Sequence, residues 1–178
     1  MMILRLATTV ALASALAACA LGRSPRACDA PAAADTAGWH EFRPCARFAL
    51  LLPASAHENP MQCMDSACGQ VNVGSWTLHY DMGRMAGPGD SVHAPLGTAD
   101  THECALTIAG RPGHLMTGRN AERGAPGRDG AAIAALPVSA DEGGLYLSAD
   151  SLDDRGLAEF VAAVRSVRLI PLPRPGGP

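Results

Sequence analysis

The chain contains no lysine: all 14 of its basic residues are arginine. That absence excludes whole classes of chemistry. A phosphate-binding P-loop places a lysine on the terminal phosphates, Schiff-base and pyridoxal enzymes need a lysine amine, and a Ser–Lys dyad is impossible. No block of basic residues occurs and the net charge is −3, so nucleic acid is not an expected partner. No C-x-x-C pair occurs either, which argues against a structural zinc site. There is no internal repeat and no apolar run of the roughly 20 residues that a spanning helix requires. Ala, Gly, Pro and Arg are abundant, a bias expected of a GC-rich genome, and they are not read here as signs of disorder.

What is present begins at the N-terminus. Residues 1–18 carry one charge, Arg5, then the apolar run Leu6 to Ala15, then small residues before Cys19. Gly22, Arg23, Ser24 and Pro25 follow, so the run reads as a removable leader. Its end, Leu16-Ala17-Ala18-Cys19, resembles the bacterial lipobox. The resemblance implies that Cys19 becomes the acylated first residue of a mature lipoprotein, with acyl chains as the membrane partner. Several chains on one residue hold a soluble domain on a bilayer where a single chain binds marginally. Ala20, rather than Asp, follows the cysteine, which resembles the pattern sent to the outer membrane. The expected location is therefore lipid-anchored, facing the periplasm. Residues 19–38 read as a tether, 39–171 as one domain and 172–178 as a frayed tail.

Five cysteines remain beyond Cys19. An exported protein meets an oxidising compartment, so disulfides are the default, and an odd count leaves one thiol over. In CMDSAC, Asp65 and Ser66 can turn the chain, which makes Cys63–Cys68 the first expected bridge. Cys28 with Cys45 is the second, leaving Cys104 free.

Ala46 to Ala54 is a short apolar run closed by Pro53, a buried strand. The polar stretch SAHENPMQ reads as a loop. Between Gly69 and Gly83 the residues alternate: Val71 and Val73, then Trp76, Leu78, Tyr80 and Met82 on one face, with Thr77, His79 and Asp81 on the other. A turn near Gly74-Ser75 makes this a hairpin. Arg84 to Asp100 is rich in Gly and Pro and reads as a long loop. Glu103 to Gly110 is strand-like, with a turn expected at Gly110-Arg111-Pro112-Gly113 before a returning strand. AAIAALPV pairs with GLYLSA across ADEGG, with Leu145, Leu147 and Ala149 on one face. A helix follows: Ser151 is the expected cap, Asp153 and Asp154 suit its first turn, and Leu157, Phe160, Val161 and Val164 form one apolar stripe. Val167 to Ile170 is a last short strand. The expected fold is α+β, an antiparallel sheet of about five to seven strands with the C-terminal helix packed on it.

LLLPA, Asp65-Ser66 and LHYDMG, with the closing AAIAALPV, LYLSADS, helix and SVRLI, resemble a group of uncharacterised bacterial exported proteins. The ending also resembles the PsbP-like α/β/α sandwich. The resemblance covers about Trp39 to Pro171 and brings no catalytic residue. It implies a binding or accessory module, with an envelope protein as a possible partner and no cofactor.

Two sharper sites deserve weighing. His79 and Asp81 project from one strand face; with His40, His57, His93, His102 or His114, and with Met61, Met64, Met82, Met85 or Met116 as soft ligands, they suit a copper-type metal site. A solvated strand face, with the methionines filling packing gaps, accounts for the same residues. Gly89-Asp90-Ser91 resembles the nucleophile block of GDS-type esterases. It lacks the preceding buried strand and the later Asp-x-x-His, so Ser91 supports only a third-ranked hydrolase. The paired acids Asp141-Glu142 and Asp153-Asp154 suit a hairpin turn and a helix start, and need no catalytic role.

Overall fold

A computed structural model describes residues 34–59, 61, 66–84, 86, 101–119, 130–139 and 143–171. The leader, most of the tether, the loop after Gly83 and the tail lie outside those residues.

The elements run β1 (His40–Cys45), β2 (Phe48–Leu52), β3 (His57–Asn59), β4 (Ala67–Val73), β5 (Trp76–Gly83), β6 (His102–Ile108), β7 (Arg111–Arg119), β8 (Gly130–Ser139), β9 (Gly143–Leu152), α1 (Asp154–Arg165) and β10 (Arg168–Leu169). A seven-stranded sheet has the order β3-β4-β5-β9-β8-β7-β6, and a second sheet the order β1-β2-β10. Every pairing is antiparallel. The fold is α+β, as expected. The larger sheet falls within the expected strand count, but the ten strands in all exceed it, because the first and last strands leave that sheet and form one of their own.

Period-two alternation explains the large sheet. Trp76, Leu78, Tyr80 and Met82 of β5 share an inner face with Val71 and Val73 of β4, Leu145, Leu147 and Ala149 of β9, and Ala132, Ala134 and Leu136 of β8, all buried. Helix α1 and the small sheet cover that face. Phe160 meets Trp76 edge-on at 6.1 Å between ring centroids, and Phe48 of β2 meets Tyr80 at 5.8 Å. Within the stripe, Phe160, Val161 and Val164 are buried and Leu157 is half-buried. Ser166 closes the helix: its Oγ donates to the Ala163 carbonyl at 2.6 Å and accepts from the Leu51 N–H at 2.8 Å. The last helical turn is thereby tied to β2.

Three local expectations change. Part of the SAHENPMQ stretch forms β3, which pairs with β4 from His57↔Asn72 to Asn59↔Gln70; no apolar signal marks it. The β6–β7 turn is Ala109-Gly110, both at positive φ (51° and 74°), as a two-residue mirror-image turn requires. Pro112 instead sits inside β7, where the missing N–H is harmless because the β7–β8 ladder begins only at His114↔Ala135. Finally, the helix cap is Asp153, not Ser151: its Oδ1 accepts from the Gly156 N–H at 2.7 Å. Ser151 belongs to β9, at φ 58°.

Candidate functional site

A concavity lies where β9 runs into α1. It measures 760 Å³ and is lined by His102, Thr117, Arg119, Gly130, Asp153 and Arg155 among others. A volume of this size suits a small-molecule ligand. A β-bulge shapes it. The β8–β9 register shifts between Gly130 and Ala132, so that Leu152 sits opposite Gly130. A Cβ on Gly130 would lie 2.6 Å from the Leu152 carbonyl oxygen, so glycine lets the two strands close there. The chain leaves the sheet after Leu152 and enters α1 at its cap, Asp153.

A second cavity of 380 Å³ lies against the same turn and shares Asp153 and Arg155 with the first. Between them stands a bonded set. The Trp76 Nε1–H donates to Glu159 Oε2 at 3.0 Å, and the Arg155 Nε–H donates to Glu159 Oε1 at 2.9 Å. The Glu159 hydrogen bond holds the Arg155 guanidinium above its ordinary pKa. Asp153 is occupied as the cap. Charges held in this way by neighbours suit recognition of a ligand better than proton transfer, for which a group must change its protonation state. Sequence reasoning missed this site. The lining of the larger cavity comes from four separate stretches of chain, and only the acidic start of the helix gave a signal.

The outer face of the large sheet, opposite α1, is polar over β3, β4 and β5. Asn72 Nδ2 lies 3.2 Å from His57 Nε2, and the Thr77 hydroxyl donates to Asn72 Oδ1 at 3.3 Å. His79 and Asp81 follow on the same face, as the alternation predicts, and both are half-buried. His79 sits opposite Gln70 and Ser148, and Asp81 opposite Cys68 and Tyr146. Asp81 Oδ1 is buried and has no hydrogen-bond partner among the described residues. Among the described residues, no three His, Cys, Asp or Glu side chains gather as a metal site requires. His40, His102 and His114 lie on other strands, β1, β6 and β7. Met82 is buried in the core, Met116 packs beside Ala131 and Ile133, and Met61 is exposed. Cys19, Cys63, Met64, Met85, Ser91, His93, Asp141 and Glu142 lie outside the described residues.

On the inner side, the Tyr80 hydroxyl donates to Glu58 Oε1 at 2.6 Å. Burial, followed by that hydrogen bond, raises the phenol pKa. The ring lies against Gly69, where a Cβ would come within 2.2 Å of the hydroxyl.

The cysteines correct one expectation. Cys45 is a free, half-buried thiol, whereas Cys68 and Cys104 are disulfide-bonded. The expected Cys28–Cys45 bridge with a free Cys104 therefore does not form. Cys68 and Cys104 do not bond to each other. They lie on opposite faces of the sheet, and the five strand spacings between β4 and β6 amount to about 24 Å against a reach of about 7 Å. Both partners thus lie outside the described residues.

No helix among the described residues is long and apolar enough to cross a membrane. No protein-family model, curated protein or solved structure matches the chain.

Proposed function

We propose that the chain is a lipoprotein, anchored in the outer membrane through acyl chains on Cys19 and facing the periplasm, whose α+β domain is a non-enzymatic binding or accessory module. The observation that carries the anchor is Leu16-Ala17-Ala18-Cys19 at the end of the apolar leader. The cavity beside Asp153 and Arg155 supports the binding role, since its charged groups are held in place by caps and ion pairs. The fold is PsbP-like in this reading, in that its closing strands and helix follow the same order. Changing Cys19→Ser is expected to abolish incorporation of labelled palmitate and to leave uncleaved or mislocalised precursor. Normal membrane-bound mature protein from that variant would sink the anchor.

Within this reading Cys63 is the partner of Cys68. With Cys45 free and Cys19 acylated, Cys104 takes Cys28. Non-reducing peptide mapping of the mature protein is expected to yield those two linked peptides; Cys68 joined to any other cysteine removes the pairing.

One observation favours a second reading. Asp81 Oδ1, unpartnered among the described residues and next to His79 on one strand face, suits a periplasmic metal-binding protein of copper type. A Cu(II) titration monitored by thermal unfolding tests it: at 100 times its dissociation constant a ligand stabilises by about 2.7 kcal/mol, and His79→Ala should remove that gain.

A further inference from the structure

Among the described residues each sheet has two edge strands, and three of these four are blunted. β3 is three residues long and β10 is two. β1 carries Pro44 and a register break between Phe42 and Cys45. Short strands, proline and bulges are the usual devices against edge-to-edge pairing. β6 has none of them. It runs regularly for seven residues, His102–Ile108, with no proline and no bulge, and among the described residues it pairs only with β7. Its outward residues Glu103, Ala105 and Thr107 are all exposed.

The register of the hairpin determines which backbone groups this edge offers. Ile108 and Arg111 flank the two-residue turn and form its closing hydrogen-bonded pair. Counting back by twos, Leu106, Cys104 and His102 direct their N–H and C=O groups to β7. Glu103, Ala105 and Thr107 direct theirs away from the sheet.

We infer that this edge joins a second copy of the chain, β6 against β6 in antiparallel register about a two-fold axis at Ala105. In that register Ala105 faces Ala105 of the other copy, and Glu103 faces Thr107. The N–H and C=O groups of all three outward residues find partners, and no like charges stand opposite each other. Centring the axis on Glu103 would set carboxylate against carboxylate. Centring it on Thr107 would run Ala105 into the turn residue Ala109. Of the possible axes, the one at Ala105 is the one that pairs all three outward residues with one another without opposing like charges, and it makes the edge self-complementary, as a two-fold interface requires. Small Ala105 lets the backbones meet at the axis, and the exposed His114, 3.4 Å from Glu103, holds the one edge charge aside. The two large sheets become continuous through the pair, and the half-buried Cys104 and Leu106 on the inner face are covered further.

Sedimentation velocity of the full chain in detergent micelles, over about 1–100 μM, is expected to show twice the chain mass at the upper end. Ala105→Pro removes both central N–H donors and should weaken the association by about 30-fold or more. Ala105→Lys, which places two ammonium groups opposite each other at the axis, should weaken it by up to about 5-fold without altering the backbone; circular dichroism of both variants confirms that they fold. Ala105→Cys brings two thiols to Cα positions about 5.5 Å apart and should give a covalent dimer on mild oxidation where the parent chain gives none. A monomer at every concentration overturns the inference. So does a dimer that Ala105→Pro leaves intact or that Ala105→Cys fails to crosslink.

Discussion

The two faces of the large sheet are built from the same strands and behave as different materials. On β5, Trp76, Leu78, Tyr80 and Met82 point inward and are buried; Thr77, His79 and Asp81 point outward and are half-buried. Inside, each side chain is held by a specific neighbour: Trp76 by Phe160 and Glu159, Tyr80 by Phe48, Glu58 and the bare backbone of Gly69. Outside, Asn72 touches His57 and Thr77, while Asp81 has a carboxylate oxygen with no partner among the described residues. The inner face is where packing energy resides. The outer face is one on which residues can change with little consequence for folding, and so one available for function.

The sharpest way to break this contrast is at the centre of the inner face. Phe160 is fully buried, and Phe160→Ala should cost about 3–5 kcal/mol in chemical denaturation. A loss below about 1 kcal/mol, the range of surface changes, would mean that α1 is not docked on the sheet. Tyr80→Phe removes one hydrogen bond to a carboxylate and should cost about 1–2 kcal/mol near neutral pH. It also carries a pH signature. The folded phenol keeps its proton above the ordinary value of 10.0, so its contribution is complete below pH 10 and fades as pH rises toward the raised folded pKa. The parent chain should lose stability more steeply above pH 10 than Tyr80→Phe; parallel slopes would place the phenol outside the core. The smallest effect is expected outside: His79→Ala should stay within about 0.5 kcal/mol of the parent. A larger loss would show that the outer face carries structural load as well.

How far the sequence discloses this arrangement depends on how local each cause is. The alternation from Val71 to Met82 and the stripe through Phe160 are local, because strand and helix periods are written in consecutive residues. β3 is legible only through its partner: His57, Glu58 and Asn59 have no apolar member, and their strand conformation comes from pairing with Gln70, Val71 and Asn72. The turn at Ala109-Gly110 is hidden by the stronger proline–glycine signal just after it. Ser151 looks like the better cap by residue type. A bulge opposite Gly130 carries it into β9 and hands the role to Asp153. The cavity is the least legible feature, since His102, Thr117, Gly130 and Asp153 meet only when the sheet closes. The polar stripe of His79 and Asp81 was readable in full, but a period gives a face and not its purpose.

The bond between Ser166 and the Leu51 N–H has a kinetic meaning. It spans 115 residues, and β10, which follows it, pairs with the first two residues of β2, Phe48 and Ala49. Whether the chain emerges from a ribosome or through a membrane, that whole interval must be out before the bond can form. Throughout it the apolar strand Phe48–Leu52 exists without its second neighbour, with β1 as its only companion in the sheet. The small sheet therefore receives its third strand from the last element in the chain. Until then its most hydrophobic strand is the segment most exposed to mispairing, and the one a holding chaperone has most reason to cover.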